Sequence, residues 1–129
     1  RQRQMCIRDR RTGIRGEAAA GFPSIQTPLL ALCSLPEADL DARRLLEALF
    51  EIMRELDDTT LVRRGGIEAL QSVKRCARDL LESGALCQAS WRDALHTVDR
   101  EFVARRLSPG GAADCLSVML FLIWLAREQ

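Results

Sequence analysis

The chain has 129 residues, 47% of them apolar, which is enough for one compact domain with a buried core. Four arginines and one aspartate give residues 1–10 a charge of +3 and leave −2 for the rest, within a net +1; aromatic residues make up 5%, with no tyrosine. A body that is not basic and has few stacking platforms disfavours nucleic acid as a partner. Five cysteines without a Cys-x-x-Cys spacing, and a single histidine, argue against structural zinc and a disulfide framework and fit a reducing cytoplasm.

Residues 1–10 (Arg1 to Arg10) show no usable periodicity and do not begin with methionine. They resemble the translated read-through of a sequencing-library adapter and are set aside as a non-native or disordered tail. Residues 11–129 then read as the C-terminal part of a single helical domain whose upstream sequence is missing. Thr12 to Pro23 holds Gly13, Gly16 and Gly21 and reads as loop with a short helical turn. Arg15 and Glu17 flank a glycine there, which suits a ligand clamp or, by pattern alone, a solvated loop pair.

Ser34-Leu35-Pro36-Glu37 has the form of a capping box and predicts a helix to about Leu56. Leu45, Leu49, Ile52 and Leu56, with Leu46, Phe50 and Met53 beside them, form its wide apolar face. Asp57 to Gly66 breaks the pattern with two acids, two threonines, two arginines and a double glycine. These residues either cap and end a short helix, or hold a metal and grip a phosphate. Ile67 to Ser83 is amphipathic through Ile67, Leu70, Val73, Ala77, Leu80 and Leu81, and Gly84 is the expected stop. Ser90 is the expected cap of a further helix carrying Trp91, Leu95, Val98 and Phe102. His96 lies beside that stripe and is not expected to bind metal; Asp99 is expected to be solvated unless it faces a cleft.

Ser108 and Pro109 suit the start of a last helix, over about 109–127. Only Ser117 interrupts the apolar positions 115–126, so this helix is expected to be the buried centre of a bundle. The run falls short of the roughly 20 residues that span a bilayer, so no membrane partner is expected. Asp114, one turn into the helix, must be paired, capped, metal-bound or open to a cleft. No β-alternation of useful length occurs, and the fold class is all-α.

Three junctions carry a resemblance. Gly13-Ile14-Arg15-Gly16-Glu17-Ala18-Ala19-Ala20-Gly21-Phe22-Pro23 resembles the arginine-glycine-glutamate segment of the triphosphoribosyl-dephospho-CoA synthases. Asp58-Thr59-Thr60 with Arg64-Gly65-Gly66, and Ser108-Pro109-Gly110-Gly111-Ala112-Ala113-Asp114, resemble two further motifs of that family. Thr60 stands where the family usually has asparagine, Arg63 where it often has histidine, and Ala112 where it often has serine.

The resemblance implies that ATP and 3′-dephospho-CoA give 2′-(5″-triphosphoribosyl)-3′-dephospho-CoA and adenine, the prosthetic-group precursor of citrate lyase or malonate decarboxylase. It further implies Mg²⁺ with the ATP, and dependence on the missing N-terminal half for activity. Asp58, Asp114 and Glu17 become candidates for catalytic work, the first two also for metal binding. Arg15, Gly16, Thr59, Arg64, Gly65, Gly66, Ser108, Gly110 and Gly111 become candidates for substrate binding. Two other readings stand beside it: a non-enzymatic helical interaction module, and a nucleotide-processing hydrolase on the same scaffold.

Overall fold

The computed structural model describes residues 13–128, so the tail set aside at residues 1–10 lies outside it. Six α-helices follow in order: α1 Gly13–Ala19, α2 Gln26–Cys33, α3 Ala42–Glu55, α4 Thr59–Ser83, α5 Trp91–Ala104 and α6 Gly110–Arg127. Short 3₁₀ turns lie at Pro23–Ile25, Glu37–Asp39 and Ala85–Cys87, and there is no strand among the described residues. The all-α expectation holds.

The start of α3 differs from the capping-box reading. Ser34 Oγ donates to the Ala31 carbonyl at 3.2 Å, closing the end of α2 instead of opening a helix. Pro36 is extended and Leu40 non-helical, so the chain makes a 3₁₀ turn, and α3 begins only after Asp41. Asp41 Oδ1 accepts the Arg44 amide at 2.9 Å, which makes Asp41 the cap. From there the periodicity is obeyed: Ala48, Phe50, Ile52 and Met53 are buried, and Leu56 closes the core beneath the helix end. Each such large side chain contributes about 1.5–3 kcal/mol.

Helix α4 is a helical run in two stretches, as one of the two sequence readings expects: Asp58 caps a short one from Thr59, and the amphipathic stretch from Ile67 follows the double glycine. Gly66 breaks that run at φ 73°, ψ −172°, a conformation essentially reserved to glycine. Its core stripe is Leu61, Ala69, Leu70, Val73, Ala77 and Leu80, packed along α3, and Gly84 ends it in the left-handed region. Helix α5 buries Phe102, with Trp91, Leu95 and Val98 half-buried against the same core; His96 and Asp99 are exposed. Ser90 stands at its N-cap but makes no side-chain capping bond.

Helix α6 is not buried on every side. Gly111, Ala112, Cys115, Met119 and Ile123 form one buried stripe at helical spacing, against α1, α2, α3 and α4. The opposite side leaves Phe121 and Trp124 each 56% exposed, with their rings 6.1 Å apart, and Leu125 exposed beside them. At 18 residues and mean hydropathy 1.4, α6 is long and apolar enough to cross a membrane by length and composition. Its packed stripe makes it a core helix of this domain with one apolar face left open.

Candidate active site at converging helix starts

The three junctions meet where α1, α4 and α6 begin. Asp58 ends the short connection from α3 and is 3% exposed, a position a carboxylate occupies only when its oxygens are bonded. Oδ1 accepts the Thr60 amide at 2.9 Å, which caps α4. Oδ2 accepts the amides of Gly111 at 2.9 Å and Ala112 at 3.4 Å, which caps α6 from 53 residues away in sequence. One carboxylate thus sits on the positive ends of two helices. Ser108, the expected cap, does not fill that role: Pro109 holds the N-cap position with no side-chain bond, and Ser108 is exposed. The close approach requires the glycine at 111, since a Cβ there would stand 3.0 Å from Asp58 Cγ and from both of its oxygens.

The first junction is folded onto the other two. The backbone of Gly13 lies directly against the Thr59 side chain. At the end of α1, Gly21 and Phe22 turn the chain through left-handed conformations, and the Phe22 amide donates to the Glu17 carbonyl at 2.6 Å. That reversal brings Ser24 under Glu17, whose Oε2 accepts both the Ser24 amide at 3.0 Å and the Ser24 hydroxyl at 2.8 Å. Ser24 is buried and was not singled out by the sequence; no local pattern links residues seven apart across such a turn.

Cys115 reports the result. Its thiol is fully buried, and burial, the negative charge of Glu17 and then of Asp114 and Asp58 push it up to about 11, with Ser24 acting against them. Asp114 adjoins Cys115 in sequence, and Asp58 reaches the start of the same helix through the Gly111 and Ala112 amides. Asp114 differs from the other two: it is exposed on the first turns of α6 and makes no hydrogen bond or ion pair among the described residues. Beside Glu17 opens a groove of about 380 Å³, whose far wall carries Glu51, Arg54 and Glu55. Burial and the neighbouring Glu47 raise the Glu51 carboxyl above its ordinary value, against the pull of Arg54.

The substrate-binding candidates divide. Arg64 and Gly65 line a second groove, of about 400 Å³, together with Thr60 and Ser108. Arg105 and Arg106, which the sequence reading passed over, stand in its wall; their placement just before the Ser108 turn was the available signal. Arg15 is exposed on α1, Gly16 and Thr59 are half-buried, and Gly110 approaches Thr60 at the start of α6. No group of three His, Cys, Asp or Glu side chains that could hold a metal ion occurs among the described residues.

The described residues form a helical domain that gathers carboxylates and arginines near the starts of its helices. The chain belongs to the ATP:dephospho-CoA triphosphoribosyl transferase family, whose model matches residues 2–129. It is 40% identical over 113 residues to a probable 2-(5''-triphosphoribosyl)-3'-dephosphocoenzyme-A synthase of Salmonella gallinarum, covering 86% of this chain and 37% of the relative. The synthase of that name from Klebsiella pneumoniae is 39% identical over the same shares. A probable one from Malonomonas rubra is 32% identical over 98% of this chain and 40% of its own length. The chain therefore spans about two fifths of the length of these curated relatives. No solved structure matches it.

Proposed function

We propose that the full-length protein transfers the triphosphoribosyl group of ATP to the 2′-hydroxyl of 3′-dephospho-CoA, and that residues 13–128 supply one wall of its active site. The observation that carries this reading is the joining of three junctions widely separated in sequence: Asp58 caps the starts of both α4 and α6, and Gly13 lies against Thr59. The 2′-oxygen forms a bond to C1 of the ATP ribose as the bond from C1 to adenine breaks. The hydroxyl proton passes to a carboxylate, and adenine leaves with the electron pair of the broken bond. A single displacement of this kind inverts the β-linked centre to α. An oxocarbenium-like transition state is stabilised by negative charge nearby, which the same carboxylates provide.

The bonding pattern suggests a division of labour. Asp114, with neither oxygen engaged among the described residues, is the candidate for general base. Glu17 keeps Oε1 clear of the Ser24 pair and is the second. Asp58, whose oxygens hold three amides, acts as a positioning residue that sets the start of α6 and so the place of Asp114. Mg²⁺ suits this donor set in the way it usually accompanies nucleotides, through phosphate oxygens, water and one or two carboxylates. Asp114 is the side chain that would fit it, and with the ion there Glu17 Oε1 would take the proton; the buried, amide-bonded Asp58 fits poorly, and the ion would neutralise phosphate charge. The product would serve as prosthetic-group precursor for citrate lyase or malonate decarboxylase, in the cytoplasm.

Adenine release from Mg-ATP by the chain rebuilt to the length of its relatives tests the reading. Release that requires 3′-dephospho-CoA supports a transferase. Release without it would instead make the scaffold a hydrolase.

A further inference from the structure

We propose that the groove between the first turns of α4 and the connection from α5 to α6 binds a polyphosphate chain, gripped by Arg64 and Arg106 with Arg105 behind them. Its lining includes Thr60, Arg64, Gly65, Arg105, Arg106 and Ser108: three arginines, two hydroxyl residues and no acidic residue around about 400 Å³. Like charges gathered round one cavity repel one another unless an anion lies among them. Arg105 is partly neutralised within the chain, by Glu101 at 3.3 Å, and is steadied by a bond to Ser72 Oγ at 2.9 Å. Neither Arg64 nor Arg106 has an ion-pair partner among the described residues.

The backbone at Arg106 is a second, independent observation. Helix α5 ends with the Arg106 amide on the Val103 carbonyl at 3.2 Å and the Leu107 amide on the Phe102 carbonyl at 2.8 Å. This closure places Arg106 at φ 54°, a left-handed position that favours glycine and strains an arginine. Arg106 lines the groove from that position, and a planar guanidinium matches phosphate oxygens two at a time. Two unneutralised arginines, a third held behind them and hydroxyl donors suit a chain of phosphates better than a single one. That the groove takes a polyphosphate follows from its own geometry; that the occupant is the triphosphate of ATP rests on the transferase reading.

The test is calorimetric titration of the chain with inorganic triphosphate and with orthophosphate, at one fixed low salt concentration. Triphosphate is expected to bind at one site, at least about tenfold more tightly than orthophosphate. Arg106→Gly and Arg64→Ala should each weaken triphosphate about tenfold or more, and Arg75→Gln, an exposed site on α4 outside the groove, by less than about twofold. Arg106→Gly should melt no lower than the parent, since glycine relieves the left-handed strain; a merely structural arginine would not combine that result with lost binding. The proposal is overturned by absent triphosphate binding, by orthophosphate binding as tightly, or by Arg106→Gly losing no more than Arg75→Gln. If the groove behaves as expected but the rebuilt chain releases no adenine, only the transferase reading fails. If turnover depends on dephospho-CoA while Arg106→Gly leaves the KM for ATP unchanged, only the groove's assignment to ATP fails.

Discussion

Asp58 should be the costliest polar side chain to remove. Asp58→Ala leaves the amides of Thr60, Gly111 and Ala112 without their acceptor, two of them in bonds that are fully buried. Hydrogen bonds to a charged group contribute about 1.5–3 kcal/mol each, and water can replace only the half-buried Thr60 bond readily. Counting the two buried bonds alone, the loss is about 3–6 kcal/mol, a large part of a typical domain's 5–15 kcal/mol. Asp58→Asn keeps one oxygen but turns an amino group toward amide donors, so about half of that loss is expected. Urea denaturation followed by circular dichroism reads both variants. With a slope of about 1–3 kcal/mol per molar, Asp58→Ala should lower the midpoint by about 1 M or more. An Asp58→Ala midpoint equal to the parent's would refute the claim that this carboxylate ties α4 to α6.

Cys115 predicts a stability change in alkali. Its folded value is raised to about 11 from an ordinary 9.0, so above pH 9 the unfolded thiol gives up a proton that the native one still holds. The stability is intact below pH 9 and is lost as pH rises through about 11, by roughly 2–3 kcal/mol in all. Unfolding at pH 8 and pH 11 should show that fall, and Cys115→Ala should abolish this part of it. At neutral pH an alkylating reagent should modify the exposed Cys33 and Cys87 in the native chain and reach Cys115 only on unfolding. The open face of α6 predicts self-association or apolar-dye binding, and a double Phe121→Glu, Trp124→Glu variant should suppress it on light scattering without lowering the melting temperature. Gly66→Ala should cost about 1–3 kcal/mol in thermal melts, since alanine does not adopt that backbone conformation readily.

What the sequence made legible was periodic. The faces of α3, α4 and α5 follow from apolar spacing, because one helix carries the whole signal. The helix starts were less legible. Ser34 and Ser108 have the right chemistry one step from a helix, but Pro36 and Leu40 displace the first, and Asp58 supplies the cap of α6 from another helix's start. No local window contains that bond. The even hydrophobicity of α6 likewise says that its surface wants covering, not what covers it: Cys115 and Met119 face this domain, Phe121 and Trp124 do not. The candidate site residues come from motif resemblance, while Ser24 enters only through the folded backbone, and Arg105 and Arg106 through the groove they line.

Adenine release from the rebuilt full-length chain, comparing the parent with Asp114→Asn in the presence of Mg-ATP and 3′-dephospho-CoA, is the decisive experiment. Asp114 is exposed and without a bonding partner among the described residues, so its loss should leave the fold within about 0.5 kcal/mol of the parent. As general base, it should lower kcat by about 10²–10⁴-fold. A variant that folds as well and turns over as fast as the parent would contradict the account.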